Sequence, residues 1–178
     1  MSEFYVEYGR ALYSLSIDEG ICEKVKDELL VIEELFCEHK EYVKLLDTPG
    51  IELKKRIELV DEAFSGFEEI LVNFIKLLAE KKATGEFIKC KKEFMKMYDS
   101  DNNIERVIAY SAVPISEDKL LKIKEKLEVS LNKNICITNK ISKDIIGGVL
   151  IKLANSEIDG SIKGRLQNMG KQLKEIVF

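Results

Sequence analysis

The sequence predicts an α+β protein, an antiparallel helical bundle followed by a small α/β domain in β-α-β-β-α order. Three observations lead there. Apolar residues recur at steps of three and four from Phe4 to Tyr98, the period of helices that bury one face. A run of turn formers, Tyr98-Asp99-Ser100-Asp101-Asn102-Asn103, then breaks the pattern. The charge reverses at the same place. Residues 1–103 hold 23 acids and 15 bases, net −8, and residues 104–178 hold 9 acids and 13 bases, net +4. Opposite signs suit two domains with different partners, expected over 1–103 and 104–178. With 178 residues, 46% of them hydrophobic, there is apolar material for a packed core.

The helical elements follow in order. Phe4, Tyr8, Ala11, Leu12 and Leu15 mark the first stripe, and Ile21, Val25, Leu29, Ile32 and Phe36 the second. Tyr42 to Leu46 is shorter and ends in Asp47-Thr48-Pro49-Gly50, a turn. Leu53, Ile57, Val60 and Phe64 come next, then Phe67, Ile70, Leu71, Phe74, Leu77 and Leu78. Thr84-Gly85 opens an element carrying Phe87, Cys90, Phe94 and Met97. Five or six helices with short connections fold as an antiparallel bundle.

Beyond Asn103 the period changes. Val107 to Ala112 reads as a strand closed by Val113-Pro114. Ser116 is a candidate N-cap, with Glu117 and Asp118 in the favourable first turn. Leu120, Ile123, Leu127 and Leu131 mark a helix, and the alternation at Ile135 and Ile137 a strand running to Ile141. Ile145 to Leu153 reads as another strand, interrupted by Gly147-Gly148. A short strand at Glu157–Asp159 and a final helix from Ser161 through Val177 complete the unit. At about 75 residues it buries only about 60% of its unfolded surface and is marginal alone.

Several function classes are excluded on this reading. No apolar run approaches the ~20 residues of a membrane span. Met1-Ser2-Glu3-Phe4 has neither a basic nor an apolar leader region, so no signal peptide is expected and the expected compartment is the cytoplasm. Cys22, Cys37, Cys90 and Cys136 show no metal-ligand spacing, and with one histidine, His39, no metal site is expected. The thiols are expected to be reduced and buried. No nucleophile, base and stabiliser come together in the sequence, so no catalytic residue and no cofactor is expected. His39 lies in a polar stretch between helices, and Glu33-Glu34 and Glu68-Glu69 read as solvated faces. Gly147-Gly148 and Asp159-Gly160-Ser161 match no phosphate-binding loop. Gly-Gly here reads as a bulge or a close backbone approach, and Asp-Gly-Ser as a tight turn with an N-cap. No interleaving of bases and aromatics suggests nucleic acid.

Those glycine segments also carry a family resemblance. Ile145-Ile146-Gly147-Gly148-Val149-Leu150-Ile151-Lys152 and Ile158-Asp159-Gly160-Ser161-Ile162-Lys163-Gly164-Arg165-Leu166 stand at a specific spacing. Ser111-Ala112-Val113-Pro114-Ile115-Ser116, Tyr8-Gly9-Arg10-Ala11-Leu12-Tyr13 and Asn73 to Glu80 add ordered matches, with a weaker one at Pro49, Ile51 and Lys54 or Lys55. Together they resemble the delta subunit of bacterial rotary ATP synthases, the counterpart of mitochondrial oligomycin-sensitivity-conferring protein. The resemblance spans Phe4 to Ile176, nearly the whole chain. Departures are Gly9 for a usual Ala, Lys81-Lys82-Ala83 for Asn-Gly-Arg, Ser142 for an acid and Ala154-Asn155 for Gly-Asp.

The resemblance implies a six-helix N-terminal bundle, a smaller α/β C-terminal domain and no catalytic residues. It implies a stator subunit in the peripheral stalk, at the cytoplasmic face of the membrane, that couples proton flow to ATP synthesis by holding the head still. The bundle would bind N-terminal segments of the head's alpha subunits, and the C-terminal domain the stalk b subunits. Carried onto this chain, the alpha-binding positions are Tyr8, Ala11, Leu12, Leu15, Asn73 and Leu77. Gly147, Gly148, Asp159, Gly160, Ser161 and Arg165 are the structural signature. A cytoplasmic helical adaptor without a role in energy coupling is the alternative, and a small nucleotide-binding transferase using the Gly-Gly strand a third reading.

Overall fold

The computed structural model describes residues 2–154 and 156–166. It is a helix-rich α+β protein with a four-stranded sheet. The chain divides into two compact units, Met1–Tyr98 and Asp99–Phe178.

The first unit is helical: α1 Ser2–Asp18, α2 Cys22–Glu38, α3 Lys40–Asp47, α4 Leu53–Ala63, α5 Glu69–Glu80, a 3-10 turn at Thr84–Glu86, and α6 Phe87–Asp101. The stripe Val25, Leu29, Ile32 and Phe36 is the buried face of α2. Leu46, Val60, Phe64, Leu71, Phe74, Ile75, Leu78, Phe87 and Phe94 are buried in the same unit. Each such side chain, fully buried, contributes about 1.5–3 kcal/mol. Phe36 sits edge-on to Phe64 and Phe87, with ring centroids 6.0 and 5.0 Å apart, the geometry that aromatic quadrupoles favour.

Two polar devices tie this unit together. Arg56, near the start of α4, is 5% exposed. Its guanidinium donates to the Ile51 carbonyl at 3.1 and 3.0 Å and to the Ala79 carbonyl at 2.7 Å. It thus adds a second donor to a carbonyl in the last turn of α5 that also accepts from the Lys82 N–H at 3.2 Å. Asp47 accepts from the Thr84 and Gly85 N–H groups at 2.8 and 3.0 Å, across from the end of α3. The turn between α3 and α4 closes with the Ile51 N–H donating to the Thr48 carbonyl at 3.4 Å and Pro49 at its second position. Gly9 lets α1 approach α6, since a Cβ there would lie 2.5 Å from the Cys90 carbonyl oxygen.

In the second unit, β1 Ile104–Ser111, α7 Glu117–Leu131, β2 Asn134–Ile141, β3 Val149–Lys152 and β4 Glu157–Asp159 follow in order. The sheet runs β2-β1-β3-β4. β1 pairs parallel with β2 and antiparallel with β3, which pairs antiparallel with β4. Val107, Leu127, Ile135 and Leu153 form its core, with Ile123, Ile137 and Ile151 against it. Asn139 braces the end of β1: its amide donates to the Ala109 carbonyl and the Ser111 hydroxyl at 2.8 Å each, while its oxygen accepts from the Ile115 N–H at 3.0 Å.

Several sequence expectations are corrected. The turn formers from Tyr98 are helical as far as Asp101, because α6 continues through them. The strand expected over Ile145–Leu153 is only Val149–Lys152. Gly148 has φ +84°, a left-handed conformation that ends the extended run. Ser116 holds the N-cap position of α7, but its side chain makes no capping hydrogen bond. Cys90 alone of the cysteines is buried, and burial pushes its thiol up to about 11; Cys37 and Cys136 are exposed. Glu33 pairs with Lys91, and Glu68 with Lys24, rather than facing water alone. The final helix is seen at 162–166, and its continuation to Val177 lies outside the described residues.

A candidate docking groove and a backbone joint

The six positions assigned to partner binding come together. Tyr8, Ala11, Leu12 and Leu15 recur on one face of α1 and meet Asn73 and Leu77 of α5 in a groove of about 380 Å³. Glu7, Ile70 and Phe74 complete its lining. Spacings of three and four put these residues on one side of each helix. Depth divides them. Leu12, 3% exposed, is floor and belongs to the core, whereas Leu15, 52% exposed, is rim. Tyr8 and Leu77 are half-buried, and Ala11 and Asn73 exposed. The Tyr8 ring lies against Phe4, centroids 4.1 Å apart and planes 31° apart. The result is an apolar trough with a phenol and an amide at its edges, which suits the apolar stripe of a helix.

The signature residues do a different job. Residues 145–148 form the loop that leads into β3, and they abut the turn after β4. The Gly147 carbonyl accepts from the Ile162 N–H, and the Val149 carbonyl from the Gly160 N–H, both at 3.0 Å. A Cβ on Gly148 would fall on the Gly160 carbonyl oxygen and lie 2.8 Å from Ser161 Cα. Gly148 therefore serves a close backbone approach and a positive φ together. Asp159 accepts from the Ser161 N–H at 2.8 Å, and Ser161 Oγ accepts from the Gly164 N–H at 3.0 Å, the N-cap bond of the helical turn at 162–166. The Ser161 hydroxyl first, then its N–H, hold the Asp159 carboxyl below its usual range. Arg165 is exposed on that turn. The joint fixes backbone to backbone.

Other concavities belong to the helical unit. One, of about 700 Å³, is lined by residues that include Phe36, Tyr42 and Phe64, with His39 at its edge. The Tyr42 hydroxyl donates to the Leu59 carbonyl at 3.1 Å, and burial pushes it up to about 12. His39 is exposed between α2 and α3. Another, of about 690 Å³, adjoins the start of α1 and gathers Lys81, Lys82 and Lys89. Sequence reasoning noted Lys81-Lys82 only as a departure from a family pattern. Two adjacent lysines after an apolar helix were the available signal.

Among the described residues no helix is long and apolar enough to cross a membrane. The family model for the ATP synthase delta (OSCP) subunit matches residues 6–173. ATP synthase subunit delta of Alkaliphilus metalliredigens is 32% identical over 173 residues, 96% of this chain and 95% of that protein. The subunit delta of Clostridioides difficile is 30% identical, with 96% and 95% covered. A sodium-ion-specific subunit delta from Ilyobacter tartaricus is also 30% identical, with 92% and 94% covered. Among solved structures, a chain of the Toxoplasma gondii mitochondrial ATP synthase hexamer superposes with a TM-score of 0.71 at 17% identity, over 95% of this chain and 96% of that one, which shows a shared fold. This chain belongs to the ATP synthase delta (OSCP) subunit family, a structural and non-catalytic component of the enzyme.

Proposed function

We propose that this chain ties the catalytic head of the synthase to its peripheral stalk, so that the head does not turn with the rotor. In this reading residues 1–103 act as an antiparallel six-helix bundle that binds N-terminal helices of the alpha subunits. Residues 104–178 act as a β-α-β-β-α domain that binds the C-terminal ends of the b subunits. In this reading the chain works at the cytoplasmic face of the membrane as a peripheral subunit of the complex.

The α1/α5 groove carries this reading: it is apolar along its floor, rimmed by Tyr8, Ala11, Leu15 and Asn73, and shaped for one amphipathic helix. A stator must resist torque for many turnovers, so slow release matters more than fast capture. Helix-in-groove docking supplies that by burying apolar anchors in a preformed trough. The net −8 and net +4 halves suit two different partners.

Affinity purification of the tagged chain from detergent-solubilised membranes, before and after a low-salt wash, tests the assignment. Alpha and b subunits are expected in the eluate. Recovery of the chain without either subunit in both preparations overturns it.

A further inference from the structure

A second hollow lies beside the Tyr8 end of the α1/α5 groove. Phe4, against which Tyr8 stacks, lines the adjoining cavity of about 690 Å³ together with Tyr5, Lys81, Lys82, Glu86 and Lys89. Tyr8 lines the groove and Phe4 the cavity, and the two rings stand against each other. Lys89 pairs with Glu86 at 2.6 Å and lies over the Tyr5 ring, 5.2 Å from its centroid. That cation and that carboxylate offset each other. Lys81 and Lys82 are exposed, and among the described residues neither has an ion-pair partner. The cavity lining therefore holds a surplus of two positive charges, next to a groove whose own lining carries one carboxylate, Glu7, on a half of the chain whose net charge is −8.

The backbone adds a second observation. The Ala83 N–H donates to the Leu78 carbonyl at 2.9 Å and the Lys82 N–H to the Ala79 carbonyl at 3.2 Å. This is the paired closure of a helix end that puts the penultimate residue in the left-handed region, usually as glycine. Here it is Lys82, at φ +54°. A lysine in that conformation is less favourable than glycine, so its side chain is retained at a backbone cost.

We propose that this lysine corner sets the direction and chemistry of the helix that docks in the groove: its apolar stripe lies along Tyr8, Leu15 and Leu77, and its carboxylates lie at the end that meets Lys81 and Lys82. The inference rests on the groove being the docking site for an alpha-subunit N-terminal helix. The apolar floor fixes how firmly the segment is held, while the corner decides which way round it lies. Exposed ion pairs of this kind are weak singly and screened by salt, yet they penalise the reversed orientation and the wrong partner.

The test uses two labelled amphipathic helical peptides that share one apolar stripe, one with a cluster of Glu at one end and one with Gln in its place. Each is titrated against the full chain, the Lys81→Gln/Lys82→Gln and Lys81→Glu/Lys82→Glu variants, and Tyr8→Ala, at low and high salt. Melting curves accompany every variant. At low salt the Glu peptide is expected to bind the unaltered chain about ten-fold more tightly than the Gln peptide. High salt and the Gln variant should erase that preference, and the Glu variant should reverse it. Tyr8→Ala should weaken both peptides alike. Equal affinity of the two peptides for the unaltered chain, with the Tyr8 dependence intact, overturns the lysine corner and leaves the groove standing. Binding of neither peptide overturns the docking reading, and the corner with it.

Discussion

In the α1/α5 groove the chemistry lies at the ends of side chains, whereas in the sheet unit it lies in the main chain. Ala11, Leu15 and Asn73 are exposed along the groove, and Tyr8 is half-buried there. Gly147, Gly148, Gly160 and Ser161 bring two backbone segments into direct hydrogen bonding, and a Cβ on Gly148 would meet the opposite strand's continuation. Both regions carry residues by which the family is recognised, but for different physical reasons. A groove can lose a side chain and keep its fold, because the helices beneath are held by Leu12, Phe74 and the rest of the core. A backbone joint cannot accept an added atom without moving the chain. The difference teaches that a signature is not by itself a binding site.

The largest effect expected from this contrast is at Gly148. Gly148→Ala combines the strain of a positive φ with a clash against backbone, at a cost of about 3 kcal/mol or more. Amide NMR signals of β1 to β4 should collapse or shift widely while those of α2 and α5 keep their dispersion. An unperturbed sheet in the variant would show the joint to be compliant.

Arg56 comes next, as the helical unit's own counterpart to the joint. Arg56→Ala removes the guanidinium donor from the Ile51 and Ala79 carbonyls, the second of which keeps its bond from the Lys82 N–H, and is expected to cost about 1–3 kcal/mol in urea denaturation. Arg56→Lys should recover only part of this, because an ammonium does not span both carbonyls as a guanidinium does.

Much of this was legible beforehand, and the misses have definite causes. The stripes of α1, α2 and α5 were readable because each buried face repeats every three to four residues. Arg56 was not, since Lys54-Lys55-Arg56 reads as a charged, solvated face. It is buried because α4 packs against α5 with its start beside the end of α5. The groove positions were legible by resemblance, and their depth was not. Leu12 and Leu15 are equally apolar in sequence, yet one is floor and the other rim. Ile145 to Leu153 looked like one strand because composition does not report that Gly148 turns left-handed. Cys37 and Cys136 lie beside apolar residues but face outward, which adjacency alone does not reveal.

A smaller effect, on binding rather than folding, is expected at Tyr8. Tyr8→Ala should weaken an alpha-subunit N-terminal peptide by about 1–2 kcal/mol, as a hot-spot aromatic does. The thermal midpoint should move little, because the half-buried ring rests on Phe4 at the surface of the unit. Calorimetric titration beside a melting curve separates the two. Unchanged affinity with a large loss of stability would make Tyr8 a core residue.

The smallest effect concerns acid. The Asp159 carboxyl is held below its ordinary value of 3.8 by the Ser161 hydroxyl and N–H. Its stabilising contribution is therefore complete above about pH 4 and is lost as the pH falls through the lowered folded-state value. Asp159→Asn should flatten the acid limb of stability against pH without altering the neutral plateau's response to pH. Parallel acid limbs in the two proteins would mean that Asp159 is not held as the joint requires.

Hydrogen–deuterium exchange of the full chain, with and without an alpha-subunit N-terminal peptide, compares the two regions in a single experiment. Slower exchange confined to residues 4–15 and 70–77, with residues 145–166 unchanged, is the expected result. Protection at 145–166 with none along α1 and α5 would contradict the assignment of binding to the groove and of structure to the joint.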